Sequence, residues 1–186
     1  GYKGELISNY INRYHKNFNV NYVVNNKYDK SNSSYSFWSA KDYIKGESYL
    51  HLNCDVIFSV DLLNSILQSH YNNVIAIRTD LPLNDGMENV TLKNNKIIKM
   101  SLNNSPEAKG KAFGLAKFSS KGTSLLIEKL SNYISKKDLN QNFYGMIRLA
   151  VNEMDFYYIK TDKSNLLEVN TVNDLSVANN NWIAKD

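Results

Sequence analysis

Residues Tyr49 to Phe58 read YLHLNCDVIF, an apolar run that carries a single carboxylate, Asp55. A helical pattern follows at Val60–Leu67. In an open α/β sheet, a carboxylate at the end of a strand lies at the edge where such folds bind ligands. Hard cations such as Mg²⁺ need oxygen ligands of this kind, usually one or two carboxylates shared with substrate phosphates. The alternative role for Asp55 is to cap the following helix, because Asp is favoured at helix N-termini.

Apolar periodicity around this segment alternates between helix and strand patterns. Residues 4–15 have helical spacing, residues 18–24 are rich in β-forming residues, and a polar loop over residues 25–34 leads into another helix. Residues 74–78 form a further strand pattern after Asp55. This order predicts an α/β fold with a Rossmann-like, mostly parallel mixed sheet and helices on both faces.

The middle of the chain departs from this alternation. Glu88–Leu92 and Lys96–Leu102 are short β segments joined at Asn94-Asn95, a dipeptide typical of a tight hairpin turn. A further strand pattern covers Ala112–Phe118. We therefore expect a small β-hairpin insertion in the sheet.

Composition limits the class of protein. The 186 residues include 42% hydrophobic residues and carry a net charge of +4, with scattered lysines. A domain of this length can bury a core, and no apolar run approaches the ~20 residues that cross a bilayer. Nucleic-acid binders need a clustered basic face. We therefore expect neither nucleic acid nor a membrane as partner. The single cysteine, Cys54, excludes an internal disulfide, and a cytoplasmic location is expected.

Four passages, in this order, resemble the nucleoside-triphosphate transferase family. They resemble most its cytidylyltransferase branch, which acts on phosphocholine, sugar phosphates and phosphonates. The passages are GYKGELI at 1–7, NNKYDKSNSSYS at 25–36, DVIF at 55–58 and LEVNTVNDL at 167–175. Residues 96–118 also resemble the family's hairpin and the strand after it. The resemblance spans nearly the whole chain.

This resemblance implies a nucleotidyltransferase. An oxygen of a small phosphorylated or phosphonate acceptor would attack the α-phosphorus of a nucleoside triphosphate, which is CTP by this resemblance, and pyrophosphate would leave. The product would serve cell-surface polysaccharide or lipid synthesis. Bringing two anionic reactants together depends on charge neutralisation, so Mg²⁺ is the expected cofactor. A homodimer is compatible with the sequence.

The resemblance also implies a metal site. Asp55 is expected to be the catalytic metal ligand, and Asn170 takes the place of the second ligand, where the family has Asp. The amide oxygen of Asn170 can coordinate a metal, but one negative charge is lost. Asn170 is equally a candidate cap of the last helix, because Asn is a favoured N-cap.

Further site residues follow from the same resemblance. The nucleotide is expected at the loop that opens a helix, where hydroxyl, amide and backbone N–H donors are offered by Asn32, Ser33 and Ser34. Glu168 and Tyr144 are expected on the substrate side. Three aromatic residues of that helix, Tyr35, Phe37 and Trp38, are candidates for a box around a quaternary ammonium group, with a packing role in the core as the alternative.

Several positions depart from the family pattern. Lys111 stands where Glu is usual, and Gly145 where an acidic residue is common. The family's glycine-rich phosphate loop is not among residues 1–186, so we expect a single nucleotidyltransferase-like domain that lacks its N-terminal strand and phosphate loop. Two further hypotheses follow. The chain is either a catalytically impaired homologue that acts as a binding or scaffolding module, or the retained part of a normal enzyme.

Overall fold

The computed structural model describes residues 1–183, which form an α/β fold with one six-stranded sheet and one two-stranded sheet. The helices are α1 (Gly4–Tyr14), α2 (Ser33–Ser39), α3 (Lys41–Ile44), α4 (Val60–Gln68), α5 (Ser120–Ser135), α6 (Phe143–Ala150) and α7 (Val172–Ala178), and a π-helical turn (Asn179–Ile183) ends the series. The strands are β1 (Tyr49–Leu52), β2 (Val56–Phe58), β3 (Val74–Arg78), β4 (Asn89–Lys93), β5 (Lys96–Ser101), β6 (Gly110–Phe118), β7 (Phe156–Thr161) and β8 (Leu166–Glu168). Over residues 1–183, every helix is too short or too polar to cross a membrane.

The large sheet is mixed and mainly antiparallel, so the prediction of a mostly parallel sheet was wrong. Its order is β1-β6-β3-β7-β5-β4, and the only parallel pairing in the described part of the chain joins β3 to β7. The long strand β6 lies antiparallel between β1 and β3. Because β4 also pairs with β6, the strands from β6 round to β4 close into a partly barrel-like ring.

The predicted hairpin is present, but its strands continue the large sheet rather than standing apart from it. Asn94 and Asn95 both have positive φ, at 49° and 62°, as a two-residue hairpin turn requires. β5 pairs with β7, and β4 pairs with β6. Because β4 pairs with β6, the hairpin brings the segment just before β4 next to β6.

Helices cover both faces of this sheet, as predicted. Along β3, Val74 and Ala76 pack in one buried cluster with α4, while Ile75 and Ile77 belong to a second buried cluster with α5 and α6. This alternation is expected of a strand, in which successive side chains point to opposite faces. The core is thus built on both sides of β3 and β6.

The amino-terminal segment packs differently from the remainder. α1 forms where helical spacing predicted it, but its apolar stripe is exposed, with Leu6, Ile7, Tyr10 and Tyr14 between 57% and 60% accessible. Residues 18–24 were predicted as a strand and are assigned neither helix nor strand. Among the described residues, the buried apolar side chains begin at Leu62.

We expect Phe118→Ala to lower the free energy of unfolding by about 3–5 kcal/mol, because it empties a fully buried position. The Phe118 ring lies 5.3 Å from that of Tyr49 and 6.3 Å from that of Phe156, centroid to centroid. Urea denaturation measures the change. The matched control, Phe18→Ala, removes a ring that is 68% exposed and should change stability by less than about 0.5 kcal/mol. Equal effects of the two changes would contradict this assignment of the core.

Candidate active site

The two-stranded sheet brings the two predicted metal ligands to one place. β2 and β8 are antiparallel, with Val56 opposite Glu168. The pairing continues one step further, where the Val169 amide donates to the Asp55 carbonyl oxygen at 2.8 Å. Asp55 and Asn170 therefore stand at the same end of this sheet, although 115 residues separate them in sequence.

Asp55 lies in the turn between β1 and β2 and is not the cap of α4. That cap is Ser59, whose hydroxyl oxygen accepts from the Leu62 amide at 3.2 Å. The Oδ1 atom of Asp55 is buried and has no hydrogen-bond partner among the described residues. A buried carboxylate oxygen without a partner is costly, since buried polar atoms are nearly always satisfied. Its environment therefore favours a bound cation.

Asn170 is not the cap of the last helix either, so that alternative was wrong. Thr171 caps α7, and Thr171 and Asp174 form a reciprocal capping box. The Asn170 amide donates to Asp174 Oδ2 at 3.1 Å, and its side chain is exposed. Its side-chain oxygen as a metal ligand stays a prediction.

The donor set fits Mg²⁺ better than a transition metal. Within residues 1–183 there is no group of three or more His, Cys, Asp or Glu side chains arranged to hold a metal. Mg²⁺ does not need such a group, because it keeps several waters and binds through one or two carboxylates together with substrate phosphates. Asp55 Oδ1 could supply such a carboxylate oxygen, and Asn170, at the same end of the two-stranded sheet, stays the predicted neutral donor.

A cleft of about 240 Å³ lies close to Asp55 and contains three of the predicted residues, Ser33, Tyr144 and Glu168. Its walls are β6, the loop before β4, the start of α6 and the end of β8. The Asp55 carboxylate also acts electrostatically on a residue of the cleft, Tyr144. Burial raises the pKa of the Tyr144 phenol, and the nearby carboxylates of Glu88, Glu168 and Asp55 raise it further.

Two ion pairs form part of the cleft wall. Lys111 Nζ lies 2.5 Å from Glu168 Oε2. Arg148 Nη1 donates to both carboxylate oxygens of Glu88, at 2.7 Å and 2.6 Å, and Asn142 Nδ2 donates to Glu88 Oε1 at 2.7 Å. Sequence reasoning missed Glu88 and Arg148. They are 60 residues apart, and neither belongs to a motif that would have marked it.

Tyr144 is almost fully buried, at 6% exposure, and its hydroxyl donates to the Phe113 carbonyl oxygen on β6. This bond ties the start of α6 to the strand that carries Lys111 and Gly114. The predicted substrate-side residue therefore lies in the cleft wall, where its hydroxyl is engaged with the protein backbone.

The predicted nucleotide-binding loop is attached to the same wall. Asn32 caps α2 by accepting from the Ser33 amide, and the Ser33 hydroxyl oxygen accepts from the Phe143 amide at 2.9 Å. Ser34 is buried, and its amide donates to the Gln141 carbonyl oxygen. Ser33 alone of the three predicted residues lines the cleft. Nucleotide contacts by this loop stay a prediction.

A glycine shapes the floor of the cleft. A Cβ at Gly114 would fall 2.2 Å from Cγ of Asn53, so only glycine leaves room for that side chain. His51 donates from Nε2 to Asn53 Oδ1 at 3.0 Å, and its ring stacks on Phe143 with centroids 3.8 Å apart. Burial lowers the pKa of His51 to about 4.

Comparison with solved structures assigns the fold. No protein-family model matches the sequence, and no curated protein matches it. CTP:phosphocholine cytidylyltransferase from Streptococcus pneumoniae matches with a TM-score of 0.75 and 15% identity, over 100% of this chain and 76% of that one. A Bacillus anthracis structure described as a glucose-1-phosphate thymidylyltransferase matches with a TM-score of 0.71 and 16% identity, over 99% of this chain and 72% of that one.

The inositol-1-phosphate CTP transferase from T. maritima matches with a TM-score of 0.64 and 16% identity. The match covers 81% of this chain and 60% of that one, so the chain spans less than two thirds of that relative. All three are nucleotidyltransferases by description. The chain therefore has the nucleotidyltransferase fold, as the sequence resemblance predicted.

The lowered pKa of His51 predicts acid sensitivity. Because the folded state keeps this imidazole neutral, its stabilising contribution is present above about pH 6.5 and is lost as the pH falls toward 4. We expect this residue to account for up to about 3 kcal/mol of the fall in unfolding free energy between pH 7 and 4. His51→Gln should show a shallower pH dependence than wild type in urea titrations. His70→Gln, which changes an exposed side chain, should keep the wild-type slope. A wild-type slope in His51→Gln would refute this assignment.

Proposed function

We propose that the protein is a Mg²⁺-dependent nucleotidyltransferase. It transfers a nucleoside monophosphate, with CTP as donor, to a small phosphorylated or phosphonate acceptor and releases pyrophosphate. The observation that carries this proposal is the buried, partnerless oxygen of Asp55 beside a polar cleft, in a chain with the nucleotidyltransferase fold. The cleft elements pack on one sheet, which supports a single domain, and the phosphorylated reactants suit a cytoplasmic enzyme.

In the proposed reaction, the protein mainly positions the two reactants and neutralises their negative charge. A phosphate acceptor is largely ionised at neutral pH, since its second pKa is about 6, so its oxygen needs no general base. Two anionic reactants must instead be held together at the reacting phosphorus. Bound Mg²⁺ supplies neutralisation of the triphosphate. Asp55 would hold the ion, with Asn170 as the neutral second oxygen donor.

The remaining site residues serve binding in this proposal. Asn32, Ser33 and Ser34 lie at the start of α2 and face the start of α6, where they would contact the nucleotide. Glu168, paired with Lys111, would contact the acceptor. Tyr144 holds β6 against α6 through its hydrogen bond to the Phe113 carbonyl oxygen. This bond would keep the cleft wall that contacts the acceptor in place.

The structural relatives support a small phosphorylated acceptor. Their described acceptors are phosphocholine, inositol-1-phosphate and glucose-1-phosphate. These compounds share a phosphate but fall into two chemical classes. One carries a quaternary ammonium group, and the other two carry several hydroxyl groups on an uncharged body.

Asp55→Asn tests the proposed function directly. It keeps the shape of the side chain but removes the negative charge that would hold Mg²⁺, so we expect kcat to fall at least about 100-fold. Pyrophosphate release by the full-length protein, screened over all four nucleoside triphosphates and a panel of acceptor phosphates, measures turnover. Asp61→Asn is the matched control, because Asp61 is an exposed acid on α4, and it should stay within about twofold of wild type. Absence of turnover and of any heat with CTP and Mg²⁺ in wild type would refute the function.

Asn170→Asp tests the second ligand. Adding a carboxylate beside Asp55 should tighten Mg²⁺ binding roughly fivefold or more, because affinity of such sites rises with ligand charge. Calorimetric titration of Mg²⁺ in the presence of CTP measures the change. Asn173→Asp adds the same charge at an exposed position on α7 and should have little effect. Unchanged or weaker affinity in Asn170→Asp would show that this side chain does not face the ion.

A further inference from the structure

Resting on the proposed function, we infer that Lys111 determines acceptor specificity. Together with the pair of Glu88 and Arg148, its ion pair with Glu168 leaves no uncompensated carboxylate among the side chains that line the cleft. The cleft therefore accepts phosphates with an uncharged, hydroxyl-bearing body and disfavours those with a quaternary ammonium group.

The charges of the cleft wall are balanced. Each of the two carboxylates that line it has a cationic partner at 2.7 Å or less: Glu168 is paired with Lys111, and Glu88 with Arg148. The side chains of Lys111 and Glu168 are only 15% and 23% exposed, so water screens them weakly. A cationic head group in this cleft would meet the Lys111 ammonium without finding a free carboxylate, which is unfavourable.

The aromatic residues of the cleft are packed into the protein. A quaternary ammonium group is held by open aromatic faces within about 6 Å. The two aromatic residues that line the cleft, Phe143 and Tyr144, are 3% and 6% exposed. The Phe143 ring is stacked against His51, and Tyr144 is tied to Phe113. Neither ring offers the open face that such a cage needs.

The three aromatic residues of the predicted box on α2 already contact other side chains of the protein. Lys41 Nζ lies 4.2 Å from the ring centroid of Trp38, and Lys27 Nζ lies 5.5 Å from that of Tyr35. Phe37 packs edge-on against Phe143 at 5.0 Å in the core. These contacts with the chain's own lysines, and the core packing of Phe37, favour the packing role for these aromatic residues over the ligand box.

The cleft does offer hydrogen-bonding groups to a ligand. Lys111 uses one ammonium hydrogen for Glu168 and has two more. Asn53 accepts from His51 through Oδ1, and its side-chain nitrogen Nδ2 has no partner within the described residues. A hydroxyl group both donates and accepts, so it can bind between such donors and the Glu168 carboxylate. An uncharged body with several hydroxyls matches these groups.

The test compares two phosphates of equal charge at the phosphate group, phosphocholine and myo-inositol 1-phosphate. Each is titrated calorimetrically into full-length protein with Mg²⁺ and a non-hydrolysable α,β-methylene CTP bound. We expect wild type to prefer the inositol compound by about tenfold or more. Lys111→Met should reduce this preference at least about tenfold, because Glu168 then faces the ligand without its partner. Lys111→Arg should restore it.

Two further variants keep the test decisive. Lys109→Met removes an exposed lysine just before β6 and should leave the preference unchanged. If Lys111→Met fails to fold, Glu168→Gln tests the same ion pair by removing its carboxylate instead of its ammonium group. Lys111 is then uncompensated, so phosphocholine should bind more weakly still, while an acidic phosphate such as 3-phosphoglycerate should bind about tenfold more tightly.

The outcomes separate this inference from the proposed function. Binding of the CTP analogue with equal or tighter binding of phosphocholine overturns the inference and leaves the function standing, as does binding of neither phosphate. An unchanged preference in Lys111→Met, equal to that of Lys109→Met, also overturns it. No binding of the CTP analogue refutes the function itself.

Discussion

One backbone hydrogen bond, from the Val169 amide to the Asp55 carbonyl oxygen, fixes the arrangement of the candidate site. It extends the antiparallel pairing of β2 with β8 and so joins two segments that are far apart in sequence. Side chains alternate between the faces of a strand, so a slip of one residue would turn Glu168 away from Lys111. The register of this short sheet therefore determines which side chains meet at the cleft.

Asp55 departs from the charge balance of the neighbouring cleft wall. Glu88 and Glu168 are each bonded to a cation, whereas Asp55 Oδ1 is buried without a partner among the described residues. An unsatisfied buried polar group costs about 1–3 kcal/mol, and more when it is charged. A fold would not favour such an arrangement for stability alone. A cation bound at Asp55 would offset this cost, which is why we propose this carboxylate as the metal position. Three neutral side-chain atoms, Tyr49 Oη, Asn89 Oδ1 and Thr161 Oγ1, are also buried without a partner among the described residues, so Asp55 is the charged one of the four.

Local features of the sequence were enough to predict much of this fold. Helical spacing located α1, the Asn94-Asn95 dipeptide located the hairpin, and the helix patterns indicated helices on both faces. The strand direction was wrong because β6 inserts antiparallel between β1 and β3, a pairing that no local pattern specifies. Residues 18–24 have strong β propensity, but strand formation needs a partner strand, and none pairs with them in the described chain.

The sequence also predicted only part of the site, because local patterns do not specify long-range contacts. Asp55 and Asn170 stand in motifs and could be named, whereas Glu88 and Arg148 meet only through the folding of the hairpin onto α6. The cap roles considered for Asp55 and Asn170 belong to Ser59 and Thr171, each a good N-cap close to the residue first considered. Sequence patterns located these helix starts to within a few residues but could not distinguish between neighbouring polar side chains.

The position of Lys111 changes how its departure from the family pattern is understood. Considered in sequence, a lysine in place of the usual glutamate removes a negative charge from the site and favours an impaired homologue. In the structure this lysine is paired with Glu168, so the cleft wall as a whole stays close to neutral. A divalent cation would then be drawn to Asp55, because Glu168 is already compensated. Under the proposed function, a near-neutral cleft wall beside the acidic Asp55 is compatible with an active enzyme, so Lys111 by itself does not favour an impaired homologue.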